Sequence, residues 1–371
     1  MGVPYILFCA GEDSGDILGE SFVLPVISSS IGVLGVGGTR MQKAGLVPLT
    51  SFENLPVSGF GDVLPRIFLF RKILNDLKKA LKEPDCVGFV AIDYPGFNMK
   101  LIALAKRLRK PVLYVAPPQI WAWKKKRAKK LKDVELTVLF DFERLAYANF
   151  GCSAKMLKHP FAVENFQIRE KPSTRILLLL PGSRMAQALR NMDLFLKASE
   201  KLLETNHFSV KVVASRKSLV HEFEKKIEQV SKEKYFEVVE APLETVARRK
   251  FYTEASLALT APGTASLELA LSNVPMVVAT VPDVLTFVLG SLFVKTKVFA
   301  MPNILLGTAA VSECIVAPWK RAKAADALSV LLKRSLEPDN LSRMQKVAQD
   351  LNALLSQGKN PTELMKENFS V

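Results

Sequence analysis

Short apolar runs alternate along the chain with longer amphipathic stretches. In the first half these runs lie at residues 5–10, 33–36, 87–92, 112–116 and 136–140. A second series lies at residues 175–180, 210–214, 236–239, 257–259 and 276–279. A series of strands that are each followed by a helical stretch predicts parallel sheets covered by helices on both faces, an α/β fold.

The alternation pauses at residues 164–172, which are polar and lack apolar periodicity. With a length of 371 residues, this pause predicts two α/β domains, residues 1–168 and 169–320, followed by a helical C-terminal segment at 321–371. One stretch does not have the pattern expected of the helix that follows the first strand. Pro25 and the three serines at 28–30 predict that the first crossover helix is short or broken.

Composition narrows the classes of function. The net charge of +15, from 51 basic and 36 acidic residues, favours an anionic partner such as a nucleic acid, an acidic bilayer or a phosphorylated substrate. The four cysteines and three histidines are scattered, so neither a disulfide framework nor a bound metal is expected. No apolar run reaches the ~20 residues of a membrane-spanning helix, and the first residues lack the basic start of a secretory signal.

Two loops of the second half carry phosphate-binding chemistry. The first is PGSR at residues 181–184, directly after an apolar strand. Gly182 permits close backbone approach, Ser183 offers a hydroxyl and Arg184 adds positive charge. The alternative is a structural turn that ends in a surface arginine.

The second loop is APGTASLE at residues 261–268, which follows a strand and opens a helix. Gly263 and Thr264 place unpaired amides and a hydroxyl at the helix start, where the dipole favours an anion. Glu268 follows about one turn later, where a carboxylate reaches ribose hydroxyls. Together the two loops indicate a nucleoside diphosphate. The absence of GxGxxG after the first strand, and of GxxxxGK[ST], disfavours dehydrogenases and P-loop enzymes.

In the first half, Asp93 stands at the carboxyl end of a strand, where ligands of open parallel sheets bind. It is either a general base or a turn and helix-capping residue. Other loop residues are expected at the same edge of the sheet and complete a candidate acceptor site: Glu12, Ser14, Gly15, Asp16, Gly37, Gly38, Arg40 and Asn98.

Residues 62–81 have the periodicity of a helix with one inward apolar stripe. Phe68 and Leu69 fall off that stripe beside basic residues, which suits an acidic membrane surface; a thicker buried face is the alternative. The candidate membrane patch consists of Phe60, Leu64, Arg66, Phe68, Leu69, Arg71 and Lys72. The tryptophan- and lysine-rich run at residues 121–132 is either a solvated helix face or a nucleic-acid patch.

From nearly its start to about residue 318, the chain resembles the lipid-A-disaccharide synthase family. The matching motifs occur in family order: GEDSGD (11–16), GGTRM (37–41), IDYPGFN (92–98), IWAW (120–123), LPGSR (180–184), GTA with Glu268 (263–268), and Pro302-Asn303. The resemblance implies a GT-B glycosyltransferase, in which two facing Rossmann-like domains hold a sugar nucleotide.

The same resemblance implies substrates and roles. The family joins UDP-2,3-diacylglucosamine to 2,3-diacylglucosamine 1-phosphate (lipid X), giving a β-1,6 disaccharide and UDP with inversion at the anomeric carbon. Asp93 aligns with the proposed base. The family's UDP contacts fall on Gly182, Ser183, Arg184, Gly263, Thr264, Glu268 and Asn303.

The expected location is the cytoplasm, with peripheral binding to the anionic inner membrane. A homo-oligomer is compatible with the sequence, whereas no cofactor, metal or nucleic acid is expected. The chain departs from the family at Gly96, where a second aspartate is usual, and at Gln187, where an acidic residue is usual. Two further departures are Ser58 and Lys158. The alternatives are a GT-B transferase with another UDP-sugar or acceptor, and a nucleic-acid-binding protein.

Overall fold

The structure, a computed structural model, describes residues 3–27, 29–51, 67–120, 125–164, 166–167, 174–230, 235–284, 287 and 298–369. The chain divides into two compact units. Unit 1 is Met1–Ala162 with Leu355–Val371, and unit 2 is Val163–Leu354. These limits differ from the boundaries predicted at 168/169 and 320/321. The difference at the C-terminus arises because the helices after residue 320 are shared between the units.

Unit 1 contains a seven-stranded sheet in the order β3-β2-β1-β4-β5-β6-β7. Its strands are β1 Tyr5–Ala10, β2 Gly32–Val36, β3 Val47–Pro48, β4 Cys86–Ile92, β5 Val112–Val115, β6 Glu135–Val138 and β7 Ala154–Met156. Its helices are α1 Asp13–Ile27, α2 Thr39–Lys43, α3 Ile67–Lys82, α4 Pro95–Arg107 and α5 Asp141–Ala148, with a 3₁₀ helix at Lys125–Leu131.

Unit 2 contains a six-stranded sheet in the order β10-β9-β8-β11-β12-β13. Its strands are β8 Ile176–Leu180, β9 Ser209–Ala214, β10 Phe236–Glu240, β11 Leu257–Thr260, β12 Met276–Thr280 and β13 Ser312–Ile315. The helices are α6 Met185–Leu203, α7 Lys217–Val230, α8 Thr245–Thr253, α9 Thr264–Leu271, α10 Met301–Leu306, α11 Arg321–Ser335 and α12 Pro338–Leu355; α13, Pro361–Phe369, returns to unit 1.

All described strand pairings in both sheets are parallel, which confirms the predicted fold class of two parallel-sheet α/β domains. Strand β1 shows why its sequence reads as one apolar run. Leu7 and Cys9 belong to a core cluster on one face, and Ile6 and Phe8 belong to a cluster on the other. Successive side chains of a strand point to opposite faces, so a strand covered on both faces needs apolar residues throughout.

The prediction of a short or broken first helix is wrong. Helix α1 continues through Pro25 for 15 residues. Pro25 lies in the last turn, so it removes one bond, the one its amide would have donated to the carbonyl of Ser21, and only two helical residues follow it. The apolar face around the proline packs Phe22, Val23 and Val26 into the core, and this burial offsets the local cost.

The end of the chain is built into unit 1. The amide of Lys158 donates to the carbonyl of Lys359 at 2.8 Å, and the amide of Lys359 donates to the carbonyl of Met156 at 2.8 Å. Leu364 and Met365 of α13 are fully buried in the cluster that also contains α1. In the part of the chain that the structure describes, each helix is either too short or too polar to span a bilayer.

Candidate active site

Each sheet has one switch point, where neighbouring strands send their following helices to opposite sides. In unit 1 it lies between β1 and β4, and in unit 2 between β8 and β11. Ala10 is in register with Ile92, and Leu180 is in register with Thr260. The loops after each pair therefore leave the sheet side by side, at the position where open α/β sheets bind ligands. The predicted loops at 11–16, 93–98, 181–184 and 261–268 occupy these two switch points.

Asp93 begins the loop after β4 in unusual backbone geometry. Its amide still donates to the carbonyl of Val115 at 2.9 Å, as the next member of the ladder. Asp93 and Tyr94 then both adopt positive φ, 45° and 48°, before Pro95 starts α4. The left-handed conformation costs about 1–2 kcal/mol for most non-glycine residues, such as Tyr94, and is more accessible to aspartate. Two such residues in succession, the first of which carries a half-exposed carboxylate, mark this turn as a functional candidate.

Two buried side chains hold the carbonyl of Asp93. Asn98 donates from Nδ2 to this carbonyl at 2.8 Å, and Tyr114 on β5 donates its hydroxyl to it at 3.0 Å. Asn98 also lies 3.1 Å from the carbonyl oxygens of Cys9 and Ile92, so it ties together the ends of β1 and β4. The sequence did not single out Tyr114. Its available signal is a hydroxyl-bearing residue in a central strand that is otherwise aliphatic.

The loops after β1 and β2 are held by internal polar contacts. Asp16, buried in α1, accepts the amides of Arg40 and Met41 at 3.0 Å each. Burial raises the pKa of Asp16, against the lowering effect of these hydrogen bonds. Arg40 is also buried and pairs with Glu20 at 3.0 Å. Asp16 and Arg40 thus support the loop at the edge of the sheet.

The other predicted acceptor-side residues divide by exposure. Glu12 and Ser14 are half-buried, and Gly15, Gly37 and Gly38 are buried. A β-carbon at Gly38 would stand 2.5 Å from Oδ2 of Asp16, so this glycine is required for the approach of the two loops.

Unit 2 exposes backbone at its switch point. Gly182 and Gly263 have φ of +119° and +148°, values that side-chain-bearing residues rarely adopt. Each glycine lies just before a helix, α6 or α9, whose first amides lack intrahelical partners. The amide of Ala261 donates to the carbonyl of Leu180 at 2.8 Å, which links the two loops. Two adjacent helix N-termini with open glycine turns suit an anion such as a diphosphate.

The predicted phosphate-binding residues of these two loops are at least partly exposed, so a ligand can reach them. Arg184 and Gly263 are exposed, whereas Gly182, Ser183 and Thr264 are half-buried. Beneath them, Asn191 is fully buried. Its Nδ2 donates to the carbonyl of Pro181 at 2.8 Å and its Oδ1 accepts the amide of Val281 at 2.8 Å. Asn191 therefore fixes the first phosphate-type loop to the end of β12, a role that the sequence did not reveal.

Glu268 forms a largely buried ion pair with Arg248 of α8. Nε and Nη2 of Arg248 lie 2.7 and 2.6 Å from Oε1 of Glu268, and the two side chains are 9% and 10% exposed. Arg248 also donates to the backbone carbonyls of Pro242 and Leu243 at 3.4 and 3.3 Å. The carboxylate predicted to meet the ribose is thus held by a guanidinium that sequence reasoning missed.

Asn303 lies in α10 and is buried. Its Nδ2 donates to the carbonyl of Val311 at 2.9 Å, and its Oδ1 accepts the amide of Val311 at 2.8 Å. Both ends of its amide therefore hold a neighbouring loop of unit 2. Among the described residues, no group of three or more His, Cys, Asp or Glu side chains is placed to hold a metal ion.

The residues of the predicted membrane patch that lie on helix α3 differ in exposure. Phe68 is 78% exposed and lies on the same solvent face as Arg71 and Lys72. Leu69, in contrast, packs against the core of unit 1, so it is not a surface residue of the patch. The patch residues Phe60, Leu64 and Arg66 lie outside the described residues, as do Trp121 and Trp123.

Comparison with known proteins gives consistent matches. Residues 6–367 match the family model described as lipid-A-disaccharide synthetase. A lipid-A-disaccharide synthase 2 from Legionella pneumophila is 30% identical over 375 residues, which cover 96% of this chain and 94% of that protein.

Solved structures share the fold. The S. aureus MnaA–UDP co-structure superposes with a TM-score of 0.65 at 10% identity, covering 98% of this chain and 96% of that one. The spinosyn rhamnosyltransferase SpnG, complexed with thymidine diphosphate, gives a TM-score of 0.56 at 10% identity and covers 98% and 99%.

Proposed function

The chain belongs to the lipid-A-disaccharide synthetase family, and we propose that its two switch points divide the chemistry of a lipid A glycosyltransferase between donor binding and proton transfer. Glycosyl transfer in lipid A biosynthesis is the activity of this family, with a nucleotide-sugar donor and a lipid acceptor. The assignment of residues to these two tasks rests on the loop geometry in each unit.

The donor that fits best is UDP-2,3-diacylglucosamine, bound by unit 2. Its diphosphate would lie against the N-termini of α6 and α9, where backbone amides and the exposed Arg184 offset its charge. The open turns at Gly182 and Gly263 allow phosphate oxygens to approach these amides. Glu268, fixed by Arg248, would accept hydrogen bonds from the ribose hydroxyls.

The acceptor would be 2,3-diacylglucosamine 1-phosphate, with Asp93 of unit 1 as the general base. Its 6-hydroxyl oxygen attacks the anomeric carbon of the donor sugar. The bond from that carbon to the β-phosphate oxygen breaks as the new bond forms, and UDP leaves with the electron pair. Asp93 takes the hydroxyl proton. A single displacement of this kind inverts the α-linked donor to a β-1,6-linked product.

Acylated substrates sit in a bilayer, and the exposed Phe68 with its basic neighbours suits contact with one. We therefore place the protein peripherally on the anionic inner membrane, in contact with its cytoplasmic face. Basic residues close to an anionic leaflet contribute about 1 kcal/mol each, and an inserted aromatic ring adds apolar burial.

The observation that carries the proposal is the pairing of loops at both switch points, in a chain that matches this family over nearly its whole length. The test is to incubate the purified protein with both lipid precursors and to follow UDP release and product mass. We expect equimolar UDP and a disaccharide monophosphate. UDP release that does not need the acceptor would indicate a hydrolase. Product formation only with another UDP-sugar or acceptor would support a different glycosyltransferase.

A further inference from the structure

The turn at Asp93 holds a conformation that its own sequence does not favour. Neither Asp93 nor Tyr94 is glycine, yet both have left-handed φ angles. Such a turn persists only where surrounding contacts over-determine it. The contacts that fix its carbonyl therefore decide where the Asp93 side chain stands.

Tyr114 supplies one of these contacts from the neighbouring strand. It is completely buried in β5, and its hydroxyl lies 3.0 Å from the carbonyl oxygen of Asp93. The ring packs in the core cluster beneath the switch point, which fixes the position of the hydroxyl. Burial, followed by the nearby Asp93 charge, raises the pKa of Tyr114 well above its ordinary value. The hydroxyl is therefore protonated at neutral pH and can donate this hydrogen bond.

We propose that Tyr114 is a positioning residue for the reaction, acting through its hydrogen bond to the carbonyl of Asp93. This inference rests on the proposed role of Asp93 as the base. Asn98 donates to the same carbonyl at 2.8 Å and forms the other side of the clamp. With one donor removed, the left-handed pair relaxes and the Asp93 carboxylate shifts from its reactive position.

The test is Tyr114→Phe, which keeps the ring and removes only the hydroxyl. A displaced catalytic group slows the chemical step while substrate binding is retained. We expect kcat to fall roughly 10- to 100-fold, with KM for each substrate within about twofold of the wild type.

Tyr5→Phe is the matched control. Its hydroxyl also donates to a backbone carbonyl, that of Ala80 at 2.7 Å. Tyr5 is the first residue of β1, however, so it lies at the amino end of the strands, away from the switch point at their carboxyl ends. Both variants lose one such bond in unit 1. Tyr5→Phe should keep kcat within about twofold of the wild type. Equal losses of kcat in the two variants would reduce Tyr114 to a structural residue and overturn the inference.

A second comparison uses the Asp93→Asn background. Without the base there is nothing to position, so adding Tyr114→Phe should change the residual rate by less than about twofold. If Asp93→Asn keeps the wild-type rate, the base assignment itself fails. If Asp93→Asn is slow and Tyr114→Phe is not, only the positioning inference fails.

Should Tyr114→Phe not yield folded protein, Asn98→Leu removes the other donor to the same carbonyl. A folded Asn98→Leu variant must then show the same fall in kcat with retained KM. Unchanged kcat in that variant would contradict the clamp.

Discussion

At the switch point of unit 1, buried polar side chains hold the loops from within. Asp16 caps α2, Asn98 joins the ends of β1 and β4, and Tyr114 holds the carbonyl of Asp93. At the switch point of unit 2, positive-φ glycines precede two helix starts, whose first amides lack intrahelical partners. A buried asparagine, Asn191, ties that loop as Asn98 does in unit 1.

The difference matches the two proposed tasks. A base must stand at one position, and a clamp of side chains gives that precision. A diphosphate presents several oxygens, and several backbone amides at neighbouring helix starts can meet them together. Substitutions should accordingly act through side-chain contacts in unit 1 and through backbone geometry in unit 2.

The strongest test of this division is Asp93→Asn. It keeps the size of the side chain and removes its basicity, so turnover should fall about 10²- to 10⁴-fold, the range for lost acid–base catalysis. UDP affinity, measured by calorimetry, should stay within about twofold because the proposed nucleotide site lies in unit 2.

Asp141→Asn is a suitable control, since Asp141 is an exposed aspartate at the start of α5 with Arg144 as its partner. Its turnover should not change. Near-normal turnover in Asp93→Asn would leave Asp93 as a turn residue only, and the comparison of the two units would lose its functional meaning.

The second test concerns acid stability. His159 of unit 1 is buried between Phe140 and Phe161, and burial lowers its pKa from 6.5 to about 4. As the pH falls, the imidazole takes up a proton in the unfolded state before it does so in the folded state. The contribution of the neutral imidazole to folding stability is therefore complete above pH 6.5 and is lost as the pH falls toward 4. At about 1.4 kcal/mol for each pKa unit, the full loss is about 3 kcal/mol, of which about 2 kcal/mol falls between pH 7 and pH 5.

Hydrogen exchange of the β6 and β7 amides, measured at pH 7 and pH 5 and corrected for intrinsic rates, reports this loss for unit 1. In His159→Asn the side chain can still accept the amide of Phe161, but it does not titrate. This variant should lack the acid-dependent part. His221→Asn, at an exposed site in unit 2, should behave as the wild type. An unchanged pH response in His159→Asn would assign the acid sensitivity to other groups.

The strands of the two sheets could be predicted from the sequence to different degrees. The central strands were predicted nearly to the residue, because burial on both faces makes them continuous apolar runs. The edge strands β3, β7 and β13 were missed. They are two to four residues long and exposed or half-buried, so they carry no such run.

The site divides in the same way. Asp93 and the glycine turns could be singled out as candidates because they follow strands directly, and position along the chain is enough to suggest their chemistry. Tyr114, Asn191 and Arg248 were not found. Each acts on a partner at least ten residues away, and only the folded arrangement brings them together. Sequence pattern therefore identified the groups proposed to touch substrate more readily than the groups that hold them.

The third test probes the backbone surface of unit 2. Gly263 has φ +148° and ψ −169°, and nothing lies within 4 Å of a β-carbon added there. Gly263→Ala therefore meets no clash but forces the turn out of a region reserved for glycine, at about 1–3 kcal/mol. The first amides of α9 should move, and we expect the Kd for UDP to rise roughly tenfold.

Gly307→Ala is the matched control, because Gly307 also has positive φ, 64°, and open space around it. It caps α10 in the left-handed conformation, where alanine costs about 1 kcal/mol. UDP affinity should be retained in this variant. If both alanines weaken UDP binding equally, general loosening of unit 2 explains the effect better than a local anion site.

The smallest expected effect concerns the outer surface of unit 1. Phe68 is the second residue of α3, 78% exposed and next to the solvent-facing Arg71 and Lys72. Phe68→Ser should weaken binding to vesicles containing an anionic lipid several-fold, because the lost apolar burial is at most about 2 kcal/mol. The pair Phe68 and Leu69 should not be changed together, since Leu69 packs against the core and its loss would destabilise unit 1.

The control is Val246→Ser, at the second residue of α8 in unit 2, where Val246 is 82% exposed. Both variants should keep wild-type stability and UDP affinity. If they lose equal vesicle affinity, contact with the bilayer is a general property of exposed apolar residues and not of α3. Selective loss in Phe68→Ser would place lipid contact on the unit that carries the proposed base, and stronger vesicle binding of both proteins at low salt would report the basic neighbours that the variant keeps.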